Sequence, residues 1–456
     1  MSSRVSAPSF SKSFIHLFVP VATQYLFFNL IGILDVLMVG QLGDVSVAAV
    51  GLAGQFFFLL NLTLFGITGG AAVFVAQYWG ARDLPNLHRV LGLCLAVCGS
   101  VGASFACVAL TAPTWVIGLY TQDAAVIALG AAYLRIIGWS YIFSAITFAF
   151  AAALRSSGNT RLPMLVSVSL LTANMLLNYG LIFGKFGLPL FGVRGSALGT
   201  ALCRILECVI LLAVIYMRRM PVAANLRQLF DLNLAFTVRH LQLILLVFIN
   251  EFTWALGVNV YNTVMARLST SAYAGYNIVS TIIALGLFWA TGCATTCAVM
   301  VGHSIGAGQP EDAYRVARRL LIVSIVGSLC IGLGLAALRQ PLLALYQISP
   351  EAQKDASAML LLAGLMHWLR SLDAMFIVGI LRSGGDIRYS AALDMGGIWL
   401  VGIPAMIVAA FVFRAPVPWV FLAGMTENLA KNALAFRRFS SRRWIRDLAT
   451  PIPKAL

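Results

Sequence analysis

Twelve apolar stretches, each about 20 residues long, follow one another along this chain and constrain its fold more than any other feature. A helix needs about 20 mostly apolar residues to cross a bilayer whose hydrocarbon core is about 30 Å thick. Only 10% of the 456 residues are charged, against about 25% in a soluble domain. The sequence therefore predicts an all-α integral membrane protein with twelve transmembrane helices. The predicted spans are 14–38, 52–77, 90–112, 130–153, 162–184, 195–217, 241–265, 275–301, 316–338, 357–381, 389–412 and 416–436.

The distribution of basic residues predicts the orientation of these helices, because cytoplasmic loops are enriched in Lys and Arg. Most of the 31 Lys and Arg residues lie in three places: the N-terminal segment, the connections after even-numbered spans, and the segment from Lys431 onward. Arg382 lies in one of these connections. Both termini are therefore predicted to be cytoplasmic. We expect the basic tail to lie against anionic lipid, so the net charge of +15 requires no nucleic-acid partner.

The second half of the sequence resembles the first. At one constant offset Gly66 matches Gly292 and Gly80 matches Gly306, with similar connections between them. Because each half contains an even number of spans, the two halves share one topology and are predicted to be parallel six-helix repeats around a central cavity. The predicted divisions are an N-lobe (1–217), a cytoplasmic linker (218–240), a C-lobe (241–436) and a basic cytoplasmic tail (437–456).

Several motifs lie in or beside these spans. The first span ends in DVLMVGQLG (35–43), the fourth connection reads LRSSGNTRLP (154–163), and the fifth span contains NMLLNYGLIFG (174–184). Together they resemble the multidrug and toxic compound extrusion (MATE) family, and the resemblance covers nearly the whole chain. It implies a twelve-helix antiporter that expels organic, often cationic, compounds in exchange for Na⁺ or H⁺ and needs no other cofactor. We expect a monomer in a bacterial inner membrane.

One acid in the first half is a candidate for binding the coupling cation. A charge at the bilayer centre costs about 2.5–3.5 kcal/mol, so such residues usually line a cavity or an ion path. Asp35 matches the N-lobe carboxylate of the family, and Asn174 and Asn178 share one helix face. With the hydroxyl of Thr200 they offer oxygens suited to Na⁺, while a carboxylate alone is sufficient for a proton. Family members with a second acid on this helix carry it at Asn178, so the coupling cation stays open, as does a purely structural network.

In the second half the candidate acids are Asp373 and Glu251. Asp373 matches a C-lobe carboxylate of Na⁺-coupled members, so a Na⁺ site is expected at Asp35 or Asp373, with Glu251 as a partner of the latter. Arg370 precedes Asp373 by three residues, and if it neutralises this acid the role of Asp373 is structural. Asp394 is nearer a membrane end and is either an additional acid or simply hydrated.

Other residues within the spans have more ordinary expected roles. Glu207 follows Arg204 by three residues, and we expect the two to form a structural ion pair. Aromatic side chains offer cation–π contacts to a flat organic cation. The candidates for this role are Tyr25, Phe28, Trp254, Trp289 and Trp368.

An enzyme is the alternative from another class, but the sequence has none of the motifs that this function needs. The five histidines are dispersed, and there is neither an HExxH zinc motif nor a Walker-type phosphate loop. The eight cysteines are scattered through apolar stretches, as is typical of buried cysteine, so no transition-metal site is expected. A flippase of related fold for lipids or lipid-linked oligosaccharides stays open as an alternative function, and a large apolar or basic cavity would favour it.

Overall fold

The computed structural model describes residues 10–346 and 348–449, and these ranges are almost entirely helical. Helices α1–α8 are Phe10–Gly40, Asp44–Gly80, Leu84–Thr111, Pro113–Gly118, Ala124–Ile137, Ser140–Ser156, Arg161–Phe183 and Val193–Met217. Helices α9–α19 are Leu226–Leu229, Leu234–Leu268, Thr270–Gly306, Pro310–Ala337, Arg339–Leu343, Pro350–Leu365, His367–Ala374, Ile387–Gly396, Ile403–Ile407, Val417–Gly424 and Thr426–Ser440. The all-α prediction is confirmed.

The predicted spans correspond closely to these helices. Among the described residues, 9 helices are long and apolar enough to cross a membrane, or up to 11 if each of two bent pairs is one span. The bent pairs are α5 with α6 and α14 with the helical segment 367–382, each bent by 52° at the break. These eleven coincide with the first eleven predicted spans, because their apolar stretches match the thickness of the hydrocarbon core.

The twelfth predicted span, 416–436, is divided between two consecutive helices in the structure. The chain there forms α18, which has 8 residues, and α19, which has 15. The two helices meet at Met425, and α19 carries charged side chains that include Glu427 and Lys431. Neither helix alone is long enough to cross the hydrocarbon core.

The described residues form two compact units. The N-terminal unit contains residues 23–75 and 83–248, and the C-terminal unit contains residues 10–22, 76–82 and the described part of 249–449. The segment predicted as a linker, 218–240, includes the short helix α9 and the start of α10 at Leu234.

In the N-terminal unit, α7 and α8 pack closely because α8 carries small residues on the contact face. A Cβ atom on Gly195 would lie 2.5 Å from the carbonyl oxygen of Leu181, and one on Gly199 would lie 2.4 Å from Oδ1 of Asn178. Small residues allow such close approach of membrane helices. Helix α7 ends at Phe183, and Gly184 after it adopts a left-handed conformation with φ of 65°. Gly199 thereby fixes where the Asn178 side chain can lie.

The C-terminal unit contains helical segments with π-type hydrogen bonding. Within the described residues these are Met375–Arg382, Gly397–Gly402 and Val408–Val412. Such segments are rare and often occur at functional sites, because the extra residue in the turn changes which side chains face the interior. Here the first two follow the helices α15 and α16, which carry candidate acids.

The described part of the basic tail packs on the C-terminal unit, where some of its arginines pair with acids of the protein; contact of the tail with lipid stays a prediction. Nε of Arg438 lies 2.7 Å from Oδ2 of Asp386, and Nη2 of Arg446 lies 3.0 Å from Oδ1 of the same carboxylate. The side chain of Trp444 is fully buried in the core of this unit. The tail arginines therefore have a protein counterion, which sequence reasoning did not anticipate.

Candidate functional site

The structure brings together the four residues proposed for the N-terminal acid site. Nδ2 of Asn178 donates a hydrogen bond to Oδ1 of Asp35 at 3.1 Å. Nδ2 of Asn174 lies 3.2 Å from Oγ1 of Thr200, and the two asparagine side chains contact each other at 3.3 and 3.5 Å. Helix α1 supplies the acid, α7 the two amides and α8 the hydroxyl. We refer to these four residues as the amide site.

The amide site contains one carboxylate, and the side chain that donates a hydrogen bond to it is a neutral amide. Asn178 and Asn174 are buried, whereas Asp35 and Thr200 are half-buried. An asparagine amide has both a donor and an acceptor end, and a rotation of the amide group exchanges the two. The amide oxygens of the site can therefore turn toward a cation at Asp35 without a change in the backbone.

A separate cavity of about 130 Å³ lies in the N-terminal unit, and Phe28 is among its lining residues. Glu207 and Arg204 also line this cavity, but the predicted ion pair between them is absent from the described contacts. Glu207 instead accepts a hydrogen bond from Ser167 at 2.5 Å. The guanidinium of Arg204 lies 4.1 Å from the ring centroid of Phe57. Glu207 and Arg204 thus contact a hydroxyl and a ring face of other helices instead of each other.

The C-terminal unit contains a cluster of three carboxylates around one lysine. Nζ of Lys431 lies 2.8 Å from Oδ2 of Asp373, 3.1 Å from Oδ1 of Asp394 and 3.9 Å from Oε1 of Glu427. The lysine is 1% exposed. We call these four residues the lysine cluster. Asp394 is thus buried and ion-paired rather than hydrated, and the ion-pair partner of Asp373 is Lys431 rather than Arg370.

Neutral donors complete the lysine cluster. Nδ2 of Asn250 donates to Oδ2 of Asp394 at 3.0 Å, and the hydroxyl of Tyr261 donates to Oε2 of Glu427 at 3.1 Å. Oδ1 of Asp373 is buried and has no hydrogen-bond partner in the described part of the chain. One carboxylate oxygen of the cluster is therefore left to accept a further proton or ligand.

Glu251 has a partner other than the one expected. Its Oε1 lies 2.8 Å from Nη2 of Arg382, and both side chains are largely buried. Arg382 and Lys431 had both been assigned to cytoplasmic segments on the basis of their charge. Their position relative to the membrane stays a prediction, but both residues are buried against acids of the same unit, which the charge rule did not indicate.

A cavity of about 260 Å³ lies beside the lysine cluster in the C-terminal unit. Its charged lining residues are Glu251, Asp373, Asp394, Glu427, Arg370 and Arg382. With the adjacent Lys431 included, the four acids exceed the three basic residues by one, so the cavity weakly favours positive charge over negative charge.

The aromatic candidates occupy different environments. Trp254 lines the cavity beside the lysine cluster. Trp289 packs edge-on against Phe18 with a centroid distance of 4.8 Å, and Trp368 packs against the hydrophobic core of the C-terminal unit. Tyr25 lies on α1 in the N-terminal unit. Substrate contact by any of them stays a prediction.

Sequence reasoning missed Lys431, Glu427, Asn250 and Tyr261. One signal was present: Glu427 and Lys431 are four residues apart in a predicted span, a spacing that places them on one helix face. A lysine at that depth needs acidic partners, so its presence should have directed attention to the acids of other helices.

The buried acid sites and the long apolar helices together define a multi-pass helical membrane transporter. A family model described as MatE matches residues 20–180 and 247–408. The chain therefore belongs to the MatE family of transporters and is not an enzyme.

Relatives with similar sequences cover nearly the whole chain. The probable multidrug resistance protein NorM of Thermotoga maritima is 26% identical over 443 residues, which are 96% of this chain and 94% of that protein. The multidrug resistance protein PmpM of Pseudomonas aeruginosa is 25% identical over 86% of this chain and 82% of its own length. An uncharacterized transporter of Bacillus subtilis, YisQ, is 22% identical over 93% of each chain.

Solved structures are similar over the same extent. An outward-facing MATE transporter of the MOP superfamily has a TM-score of 0.86 at 19% identity, over 95% of this chain and 97% of that chain. A mutant of the Vibrio cholerae MATE transporter VcmN has the same TM-score and coverage at 17% identity. This likeness confirms the fold class of twelve helices in two six-helix repeats.

Proposed function

We propose that this chain is a secondary active antiporter of a bacterial inner membrane. It exports small organic, cationic compounds in exchange for Na⁺ or H⁺ by alternating access, with both termini in the cytoplasm. The observation that supports this best is the amide site, in which a membrane-embedded carboxylate, Asp35, is held by Asn178 at 3.1 Å. Relatives that cover most of the chain are named multidrug resistance proteins, which supports small-molecule export.

The chemistry of the amide site suits exchange of a cation. Protonation of Asp35 removes the charge that its hydrogen bond with Asn178 stabilises, and a bound cation is attracted to the same carboxylate. Either event alters how α1 is held against α7. A change in cation occupancy thereby favours one arrangement of these helices over another, which is the requirement for coupling.

The charge of the C-terminal cavity supports a cationic substrate. Four carboxylates line it against two arginines and the adjacent Lys431, together with aromatic side chains that include Trp254 and Tyr276. Lipid-linked oligosaccharides and anionic lipids carry negative headgroups, which this wall would repel. The flippase alternative is therefore less favoured.

Efflux of ethidium from cells tests the proposal. Wild type is compared with Asp35→Asn and Asp373→Asn, each under a Na⁺ gradient and under a proton gradient alone. Asp312→Asn serves as the control because this acid is exposed and pairs only with Arg315 on its own helix. We expect Asp35→Asn to reduce efflux to the level of cells without the transporter at normal expression, whereas the control retains efflux. If wild type moves no cation under either gradient, the antiporter proposal fails and the flippase becomes the leading alternative.

A further inference from the structure

The lysine cluster places a cation of the protein itself where three acids converge. The ammonium of Lys431 contacts Asp373, Asp394 and Glu427 from α15, α16 and α19. A lysine ammonium has three donor hydrogens and no acceptor. It therefore satisfies these carboxylates as a compact monovalent cation would.

Almost all the carboxylate oxygens of the cluster are already contacted by donors. Of the six oxygens, five face Lys431, Asn250 or Tyr261, and only Oδ1 of Asp373 has no partner in the described residues. A hard cation such as Ca²⁺ or Mg²⁺ takes six or more oxygen ligands. No group of three or more His, Cys, Asp and Glu residues suited to a metal occurs among the described residues.

We propose that Lys431 is a built-in cation of the C-terminal unit, which occupies the carboxylates that Na⁺ would otherwise bind. This role rests on the proposed antiport function, since it makes Lys431 the residue that excludes Na⁺ from this unit. The exchangeable cation of the transporter then binds at the amide site and not at Asp373.

Packing against Gly397 keeps the ammonium in place. The stem of Lys431 passes over Gly397, where a Cβ atom would lie 2.4 Å from both Cγ and Cδ of the lysine. Gly397 begins the π-helical segment Gly397–Gly402, so the backbone irregularity and the missing side chain together make room for the stem. A Na⁺ ion at the remaining oxygen of Asp373 would lie next to the ammonium and be repelled by it.

Thermal unfolding of the purified full-length chain in detergent tests the proposal. Melting temperatures are compared in sodium chloride and in choline chloride of equal ionic strength for wild type and Lys431→Met. The methionine fills the volume of the lysine stem and leaves the three carboxylates without their cation. We expect Na⁺, and not choline, to raise the melting temperature of Lys431→Met, because a ligand of the folded state stabilises it by mass action.

A matched double variant tests whether the Na⁺-dependent rise in melting temperature arises at the lysine cluster. Adding Asp373→Asn to Lys431→Met removes one Na⁺ ligand, and the Na⁺-dependent rise should become smaller or vanish. If Lys431→Met folds and its melting temperature does not depend on Na⁺, or if the double variant keeps the full response, the proposal is wrong.

Wild type provides a test that does not depend on the stability of the lysine variant. Binding of radioactive ²²Na⁺ to the purified chain is measured for wild type, Asp35→Asn and Asp373→Asn. We expect Asp373→Asn to bind as much Na⁺ as wild type, and any loss to occur in Asp35→Asn. Loss of binding in Asp373→Asn would overturn the proposal. These readouts need no transport, so an absence of ethidium efflux would refute the proposed function without affecting them.

Discussion

The two units bind their membrane-embedded acids in different ways, although their sequences resemble two copies of one repeat. The amide site holds a single carboxylate, Asp35, through neutral amides. The lysine cluster holds three carboxylates through one ammonium, that of Lys431. An amide has a donor and an acceptor end, whereas an ammonium only donates. The first site can therefore rearrange around a cation that comes and goes, while in the second a cation of the protein already occupies five of the six carboxylate oxygens together with neutral donors.

The helices that carry the two sites also differ in the regularity of their backbone. In the N-terminal unit Asn174 and Asn178 lie on an uninterrupted α-helix, α7. In the C-terminal unit a π-helical segment follows each of the helices that carry Asp373 and Asp394. Burial of a charged cluster thus coincides with an irregular backbone, which provides the space that the lysine stem needs.

Removal of the Lys431 ammonium should give the largest difference in stability between variants of the two sites. Lys431→Met leaves three buried carboxylates without a counterion, and breaking a buried ion pair in this way costs about 3–5 kcal/mol of unfolding free energy. Asp35→Asn should cost about 1 kcal/mol or less, because the new amide oxygen still accepts the hydrogen bond from Asn178. Thermal unfolding monitored by tryptophan fluorescence measures both in choline chloride. Equal losses in the two variants would contradict the contrast between the sites.

Added methyl groups at the two supporting glycines should have smaller effects. A Cβ atom at Gly397 would meet the stem of Lys431 at 2.4 Å, and one at Gly199 would meet Oδ1 of Asn178 at 2.4 Å. Overpacking of this kind typically costs about 1–3 kcal/mol. We expect Gly397→Ala to be the more destabilising, because the lysine stem is held at both ends whereas the asparagine amide can rotate.

The same thermal measurement distinguishes these outcomes. Gly99→Ala is the control, since a Cβ atom there would meet no atom within 4 Å. If Gly199→Ala destabilises the chain more than Gly397→Ala, the amide site is the more rigid of the two, and its proposed adaptability is wrong.

The sequence was sufficient to predict the fold and the amide site for a physical reason. Spans of about 20 apolar residues are a strong signal because the bilayer sets their length. Asn174 and Asn178 are separated by one helical turn, so their common face follows from helix geometry. Their contact with Asp35 was expected from the family resemblance, and the structure places the residues within hydrogen-bonding distance.

The lysine cluster could not be predicted in the same way, because it joins residues that are distant in sequence. Lys431 lies 58 residues from Asp373 and 37 from Asp394. The loop rule that places Lys and Arg in the cytoplasm uses charge alone, and it gave no sign that Lys431 and Arg382 are buried against acids. Such a rule cannot distinguish a basic residue in a loop from one neutralised by acids on other helices.

Exposed ion pairs should show no difference between the units, which limits the contrast to the buried sites. Arg89 pairs with Asp231 in the N-terminal unit, and Arg442 pairs with Glu311 in the C-terminal unit; the acid side chains are 65% and 67% exposed. Solvent screens such pairs, so Asp231→Asn and Glu311→Gln should each cost about 1 kcal/mol or less, and added salt should reduce that cost further. Thermal unfolding at low and high choline chloride measures both variants. A large, salt-insensitive loss for Glu311→Gln alone would mean that charge stabilises the C-terminal unit as a whole, and the lysine cluster would then be one instance of a general property.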